Sequence, residues 1–156
     1  MKQIRLVFEK GGALLAVLDE ERAPKTSEMV WEAIPFQATV THSRWSGREV
    51  NFETELNQIP PRENQSIYTS LGDLCYWRDW RKSESEPSKH VLAVYYGPEM
   101  ARSHMGEEPV NIIGSITPSS IKKLHSVGER IWKEGFERVR VEKVELDEGE
   151  QYEFHG

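Results

Sequence analysis

Cysteine is almost absent from this sequence: Cys75, set between Leu74 and Tyr76, is the only one in 156 residues. A lone cysteine excludes an internal disulfide and suits a reducing compartment, and its apolar neighbours make it a small buried hydrophobe rather than a nucleophile. Long apolar runs are also lacking. No stretch approaches the roughly 20 residues that would span a bilayer. The opening Lys2-Gln3-Ile4-Arg5-Leu6-Val7-Phe8 lacks the charged, apolar and small-residue succession of a secretory leader. A cytoplasmic location without membrane contact is the expectation. Positive charge is in deficit, with 20 Lys and Arg against 26 Asp and Glu, a net charge of -6. Nucleic acid and anionic membranes both demand a basic face that displaces counterions, so neither is an expected partner.

Signatures of metals and cofactors are missing as well. His42, His90, His104, His125 and His155 show no ligand spacing with a carboxylate or cysteine pair, so no metal is expected. There is no nucleophile elbow, Walker loop or dinucleotide-binding glycine motif, and Gly114-Ser115 falls inside a predicted strand. No cofactor is expected, and whether the chain is an enzyme stays open.

What is present is material for one core. At 156 residues, with 37% hydrophobic side chains, a single domain can bury about two-thirds of its unfolded surface. Residues 1–146 carry that material, whereas 147–156 form a polar tail that cannot fold alone. Ile4, Leu6 and Phe8 alternate as a strand, Gly11-Gly12 turns, and 13–18 returns as its partner. Pro24 opens a short helix through Met29, Val30, Ala33 and Ile34, which Pro35 ends. Alternation resumes from Phe36 to Val40 and again through Val50, Phe52 and Thr54. Residues 57–66 and 83–89 read as exposed, mobile loops around 67–80, which holds a Gly72-Asp73 turn. Strands are predicted at 90–96, 110–116 and 136–146. A second helix opens at Thr117-Pro118, runs through Ile121, Leu124, Val127 and Ile131, and closes at Gly135. Many short strands with two separate helices fit a mainly β chain, a small closed barrel of about eight strands with two short capping helices.

The strand 36–40 ends oddly, because the next two residues on its apolar face are His42 and Arg44. One reading sends them into the barrel mouth, where a guanidinium fork would anchor an anion or carbonyl and an imidazole would exchange protons near neutral pH. The blander reading is a polar rim paired to a nearby acid. Tyr76, Trp77, Tyr95 and Tyr96 can equally line a pocket or pack a core. The hydroxyls of Tyr76 and Tyr96 favour a cavity edge for at least one of them. Glu99, Arg102 and His104 belong to a third loop, read as solvated rather than as a cover.

The stretch Leu18-Asp19-Glu20-Glu21-Arg22-Ala23-Pro24-Lys25-Thr26-Ser27-Glu28-Met29 resembles the start of cyclophilins, where a strand passes through Ala-Pro-Lys-Thr into the first helix. Thr41-His42-Ser43-Arg44-Trp45 looks like the cyclophilin strand that bears the catalytic arginine, with Arg44 in that place. Most of the chain, from Ile4 to about Val144, resembles a bacterial and archaeal family of unknown function with a cyclophilin-like barrel. The carriers are 44–50 (Arg-Trp-Ser-Gly-Arg-Glu-Val), 71–77 (Leu-Gly-Asp-Leu-Cys-Tyr-Trp), 94–98 (Val-Tyr-Tyr-Gly-Pro) and 110–114 (Val-Asn-Ile-Ile-Gly). The Phe-Met-x-Gln-Gly-Gly-Asp segment of prolyl isomerases is replaced by Val50-Asn51-Phe52-Glu53-Thr54-Glu55, which argues against that activity.

The resulting expectation is a small-molecule binding barrel, with His42, Arg44, Tyr76 and Tyr96 as candidate ligand-binding residues. A second expectation, by likeness of fold, is an accessory subunit of an amide- or ring-hydrolysing system, so the expected partners are a small polar or anionic ligand, a second copy of the chain or an enzyme.

Overall fold

A computed structural model of the chain describes residues 1–144. The polar tail expected at 147–156 lies outside them. Strands β1 (Gln3–Phe8) and β2 (Ala13–Leu18) form where apolar residues alternate, and their burial alternates in step: Ile4, Leu6, Phe8, Leu14, Ala16 and Leu18 all turn inward. The remaining barrel strands are β3 (Phe36–Val40), β4 (Glu49–Thr54), β5 (Asp73–Trp77), β6 (His90–Tyr95), β7 (Val110–Ile116) and β8 (Glu137–Val144). They pair antiparallel in the order β3-β8-β1-β2-β7-β5-β6-β4. The two ends of that path meet at one point, where Thr41 and Asn51 exchange both backbone hydrogen bonds at 2.9 Å. The result is a nearly closed barrel of eight strands, as the alternation implies.

Two helices stop the ends. Helix α1 (Pro24–Ala33) begins at proline and sets Val30 against the core at one end, beside Ala23 and Ile34. Helix α2 (Ile121–Glu134) follows a 3-10 turn at Pro118–Ser120 and covers the other end with Leu124, Val127 and Ile131. Gly135, at φ +91°, returns its N–H to the Ile131 carbonyl at 3.0 Å and ends the helix as read from sequence. Gly128 is buried in mid-helix because the Tyr96 ring lies against it; a Cβ there would come within 2.5 Å of that ring.

The segment 57–66 departs from the exposed, mobile loop expected of it. Pro60 is buried, and the fully buried Asn111 side chain holds the segment down. Asn111 accepts from the Glu63 backbone N–H and the Gln65 amide, and donates to the Pro61 carbonyl and the Thr26 hydroxyl. All four positions of that amide are used, which is the condition for burying it. No helix among the described residues is long and apolar enough to cross a membrane.

Candidate functional site

Alternation gives each strand a second face, and on β4, β5 and β6 that outer face carries the most distinctive chemistry of the molecule. With Val50, Phe52 and Leu92 turned inward, Glu49 and Asn51 on β4, Cys75 and Trp77 on β5, and Ala93 and Tyr95 on β6 turn outward. Cys75 and Ala93 are register partners at the centre. Both are small, so they make a floor, and the larger Trp77 and Tyr95 stand above it. The stretch 99–108, expected as a solvated loop, does leave Arg102, His104 and residues 105–107 exposed, but it lays Ala101 over this face. It forms short strands at Glu99–Met100, Arg102–Ser103 and Gly106–Glu107, and buries Ala101 completely beside Cys75, Ala93, Tyr95 and Val110. Trp45 from the 41–48 segment and His104 from the 102–107 hairpin meet edge to face, with ring centroids 6.1 Å apart, at the rim.

Between these walls lies a pocket of about 150 Å³, lined by Ser46, Glu49, Trp45, Trp77, Tyr95 and Arg102 among others. Glu49 is the register partner of Tyr95 and is 3% exposed. It has no ion pair among the described residues. Burial pushes its carboxyl from the ordinary 4.5 up to about 7, while side-chain hydrogen bonds from Ser46 and Asn51 hold it back only in part. The Asn51 amide donates to Glu49 Oε1 at 2.7 Å and to Ser43 Oγ at 2.9 Å, which fixes the carboxyl against the 41–48 segment. Trp77 Nε1 donates to Glu108 Oε2 at 2.7 Å, so the indole is locked as a wall. Burial raises the Tyr95 hydroxyl well above its ordinary value, with the Glu49 charge adding to it. Burial also keeps the Cys75 thiol protonated, in keeping with a floor residue rather than a nucleophile.

Beside Glu49, a clamp ties Arg48 to residues 98 and 99. Arg48 donates from its backbone N–H (3.1 Å) and Nε (2.7 Å) to Glu99 Oε2, and from Nη2 to the Pro98 carbonyl (2.6 Å). Gly47 sits at φ +77°, a backbone conformation that residues with a Cβ rarely adopt, so glycine suits the chain's passage there.

The four residues singled out from sequence lie outside this pocket, and not all together. Strand β3 ends at Val40, and beyond it His42 and Arg44 turn to the side facing α2, while Ser43 and Trp45 turn to the Glu49 pocket. His42 Nε2 shares a 2.6 Å hydrogen bond with the Tyr96 hydroxyl, and its ring packs 4.8 Å from Trp132. Burial lowers its pKa. Arg44 is exposed and borders an open cleft with His42, Trp132 and Phe136, so it does not continue into the barrel interior. Tyr76 is fully buried at the opposite end, where its hydroxyl shares a 2.6 Å hydrogen bond with His90 Nδ1. His42, Arg44 and Tyr96 are thus neighbours, and Tyr76 is not. Glu49 escaped the sequence reading because its alternation with Val50 and Phe52 marks it as outward, which usually means solvated.

A family model described as a protein of unknown function, DUF3830, matches residues 7–143. The chain belongs to the DUF3830 family. No curated protein matches it. Among solved structures, this DUF3830 chain is similar to McbB in complex with tryptophan, at 23% identity and a TM-score of 0.69. That match covers 92% of this chain and 46% of McbB, so the chain spans about half of McbB's length. A hypothetical protein from Archaeoglobus fulgidus, solved in solution, is 25% identical with a TM-score of 0.61, over 92% of this chain and 95% of that one. The Mimivirus cyclophilin is 13% identical with a TM-score of 0.63, over 95% and 91% of the two chains. These likenesses establish the cyclophilin-like fold of the DUF3830 chain.

Proposed function

We propose that this protein binds a small, flat organic molecule carrying a protonated amine in the outer-face pocket, with Glu49 as the group that recognises the charge. The observation that carries this reading is a carboxyl 3% exposed, without an ion pair among the described residues, at the base of an aromatic pocket. Leaving a carboxyl in that setting costs stability, and a cationic ligand would offset the cost by direct pairing. Trp45, Trp77 and Tyr95 offer ring faces and edges to the ligand's apolar part and to its cation. At about 150 Å³ the space matches one that accepts a benzene-sized ring, so the remainder of a larger ligand would lie at the rim near Arg102 and His104. A carboxyl with a pKa near 7 is also suited to give and take protons at neutral pH, which supports proton transfer to a bound ligand as the chemistry open to this site.

A second reading places a small anion at Arg44 and His42; the basic side chain and half-buried imidazole bordering one cleft favour it. Thermal shift separates the two. The panel is tryptamine, tryptophan, indole, indole-3-acetate and a proline tetrapeptide, tested on wild type, Glu49→Gln and Arg44→Ala. Tryptophan is included because McbB was solved with it. A ligand at about 100 times its dissociation constant adds about 2.7 kcal/mol, roughly 5–10 °C for a chain of this size. The amine reading expects tryptamine to raise the melting point of wild type and Arg44→Ala but not of Glu49→Gln. A shift by indole-3-acetate that vanishes in Arg44→Ala would move the site to the α2 cleft. A response to the proline peptide alone would restore the isomerase reading.

A further inference from the structure

The Glu49 carboxyl stands on the sheet side of its pocket, and the hairpin 102–107 borders the other side with groups of opposite character. Ala101 and Ser103 are buried there, and Arg102 between them is exposed. Ser103 lines the pocket and is 9% exposed. Its Oγ accepts the Met105 backbone N–H at 3.0 Å, and its hydroxyl hydrogen meets no acceptor among the described residues. That hydrogen is free for a ligand.

Arg102 lines the same pocket. Glu107 is its register partner across the hairpin, yet Arg102 makes no ion pair among the described residues. Its side chain makes one long hydrogen bond, from Nε to the Met100 carbonyl at 3.5 Å. The second carboxylate on the lining, Glu108, is already engaged: it accepts from the Trp77 indole at 2.7 Å and lies 3.9 Å from Arg81. One pocket therefore holds a carboxyl without a cation at its base and a guanidinium without an anion at its mouth. A benzene-sized ring fills the space between them. Charges that straddle such a ring reach both ends, whereas an α-amino acid carries both on one carbon.

We propose that the ligand is a flat aromatic amine with a carboxylate on the opposite side of its ring, and that the Arg102 guanidinium and the Ser103 hydroxyl take that carboxylate. This rests on the amine reading of the Glu49 pocket and adds the ligand's other end. A planar guanidinium matches the two oxygens of a carboxylate, and the neighbouring hydroxyl supplies a further donor.

The test measures dissociation constants by isothermal titration calorimetry for para-aminomethylbenzoate and for para-methylbenzylamine, which keeps the amine and lacks the carboxylate. Wild type is expected to bind the benzoate about tenfold or more tighter, and this preference should shrink from about 50 to about 500 mM salt. Arg102→Ala should narrow it to less than about threefold, Ser103→Ala should narrow it in part, and Arg102→Lys, which keeps the charge, should retain part of it. Glu49→Gln should weaken both compounds. Equal affinities on wild type, or an undiminished preference in either alanine variant, would overturn the proposal; if Glu49→Gln still weakens both compounds, the amine reading stands without it. Failure of both compounds to bind wild type would overturn the amine reading itself, and this proposal with it.

Discussion

A carboxyl group cut off from both water and basic side chains resists ionisation, and Glu49 is held that way by residues from three segments of the chain. Its folded pKa of about 7 lies above the ordinary 4.5. Between those two values the folded protein keeps a proton that the unfolded chain releases. Stability therefore falls as pH rises through that window and levels off above 7. At about 1.4 kcal/mol per pH unit the loss reaches about 3 kcal/mol. Glu49→Gln removes the titration while keeping the shape. It is expected to melt several degrees above wild type at pH 8 and close to wild type at pH 5, and the same offset at both pH values would show that Glu49 is not the group responsible. Gly128 makes the opposite kind of prediction. Alanine there gains about 1 kcal/mol of helix propensity, but its Cβ would lie 2.5 Å from the Tyr96 ring. Overpacking costs about 1–3 kcal/mol, so urea denaturation of Gly128→Ala should show a net loss. Neither residue announces its role in the sequence. Glu49 reads as solvated strand face, and Gly128 as a weak spot in a helix whose apolar stripe is otherwise clear.

At the level of elements, the sequence is legible wherever alternation or helical spacing is strong. β1, β2, β3, β4, β6, β7, β8 and both helices follow from apolar patterning, with proline at or just before the helix starts and glycine closing α2. Two things were not legible, for one reason: both depend on contacts far apart in sequence. The segment 57–66 looks like a free loop until Asn111, some 48 residues away, supplies its hydrogen bonds. The segment 99–108 looks solvated until its Ala101 is seen against Cys75 and Ala93. The end of β3 shows a further limit. Past Val40 the alternation carries on, with His42 and Arg44 on the side of α2 and Ser43 and Trp45 on the outer face, but it does not tell that α2 covers the one side or that a pocket lies on the other. The Thr41–Asn51 bridge between the ends of β3 and β4 gives a prediction at this level. In the free protein the amides of Thr41 and Asn51 should exchange slowly and those of Gln37, Thr39 and Glu53 quickly. Uniform protection along β3 and β4 would mean that the barrel is closed along its full length.

For the whole molecule, the barrel separates two jobs between its two faces. The interior is filled by packed side chains, with Tyr96 and Tyr76 making their hydrogen bonds to histidines at opposite ends, and it leaves the outer face of β4, β5 and β6 free to carry a pocket. Resemblance to the family made the fold legible from a few motifs, yet a family without known function supplies no chemistry, and the site had to come from burial and charge. The central claim is that a cationic ligand pairs with Glu49, and a carbon-13 NMR titration of the Glu49 carboxyl, with and without tryptamine, tests it most directly. The account predicts a midpoint near 7 in the free protein that falls when the amine binds, because the ammonium favours the ionised carboxylate. A midpoint in the ordinary glutamate range, or one near 7 that saturating amine does not move, would contradict it.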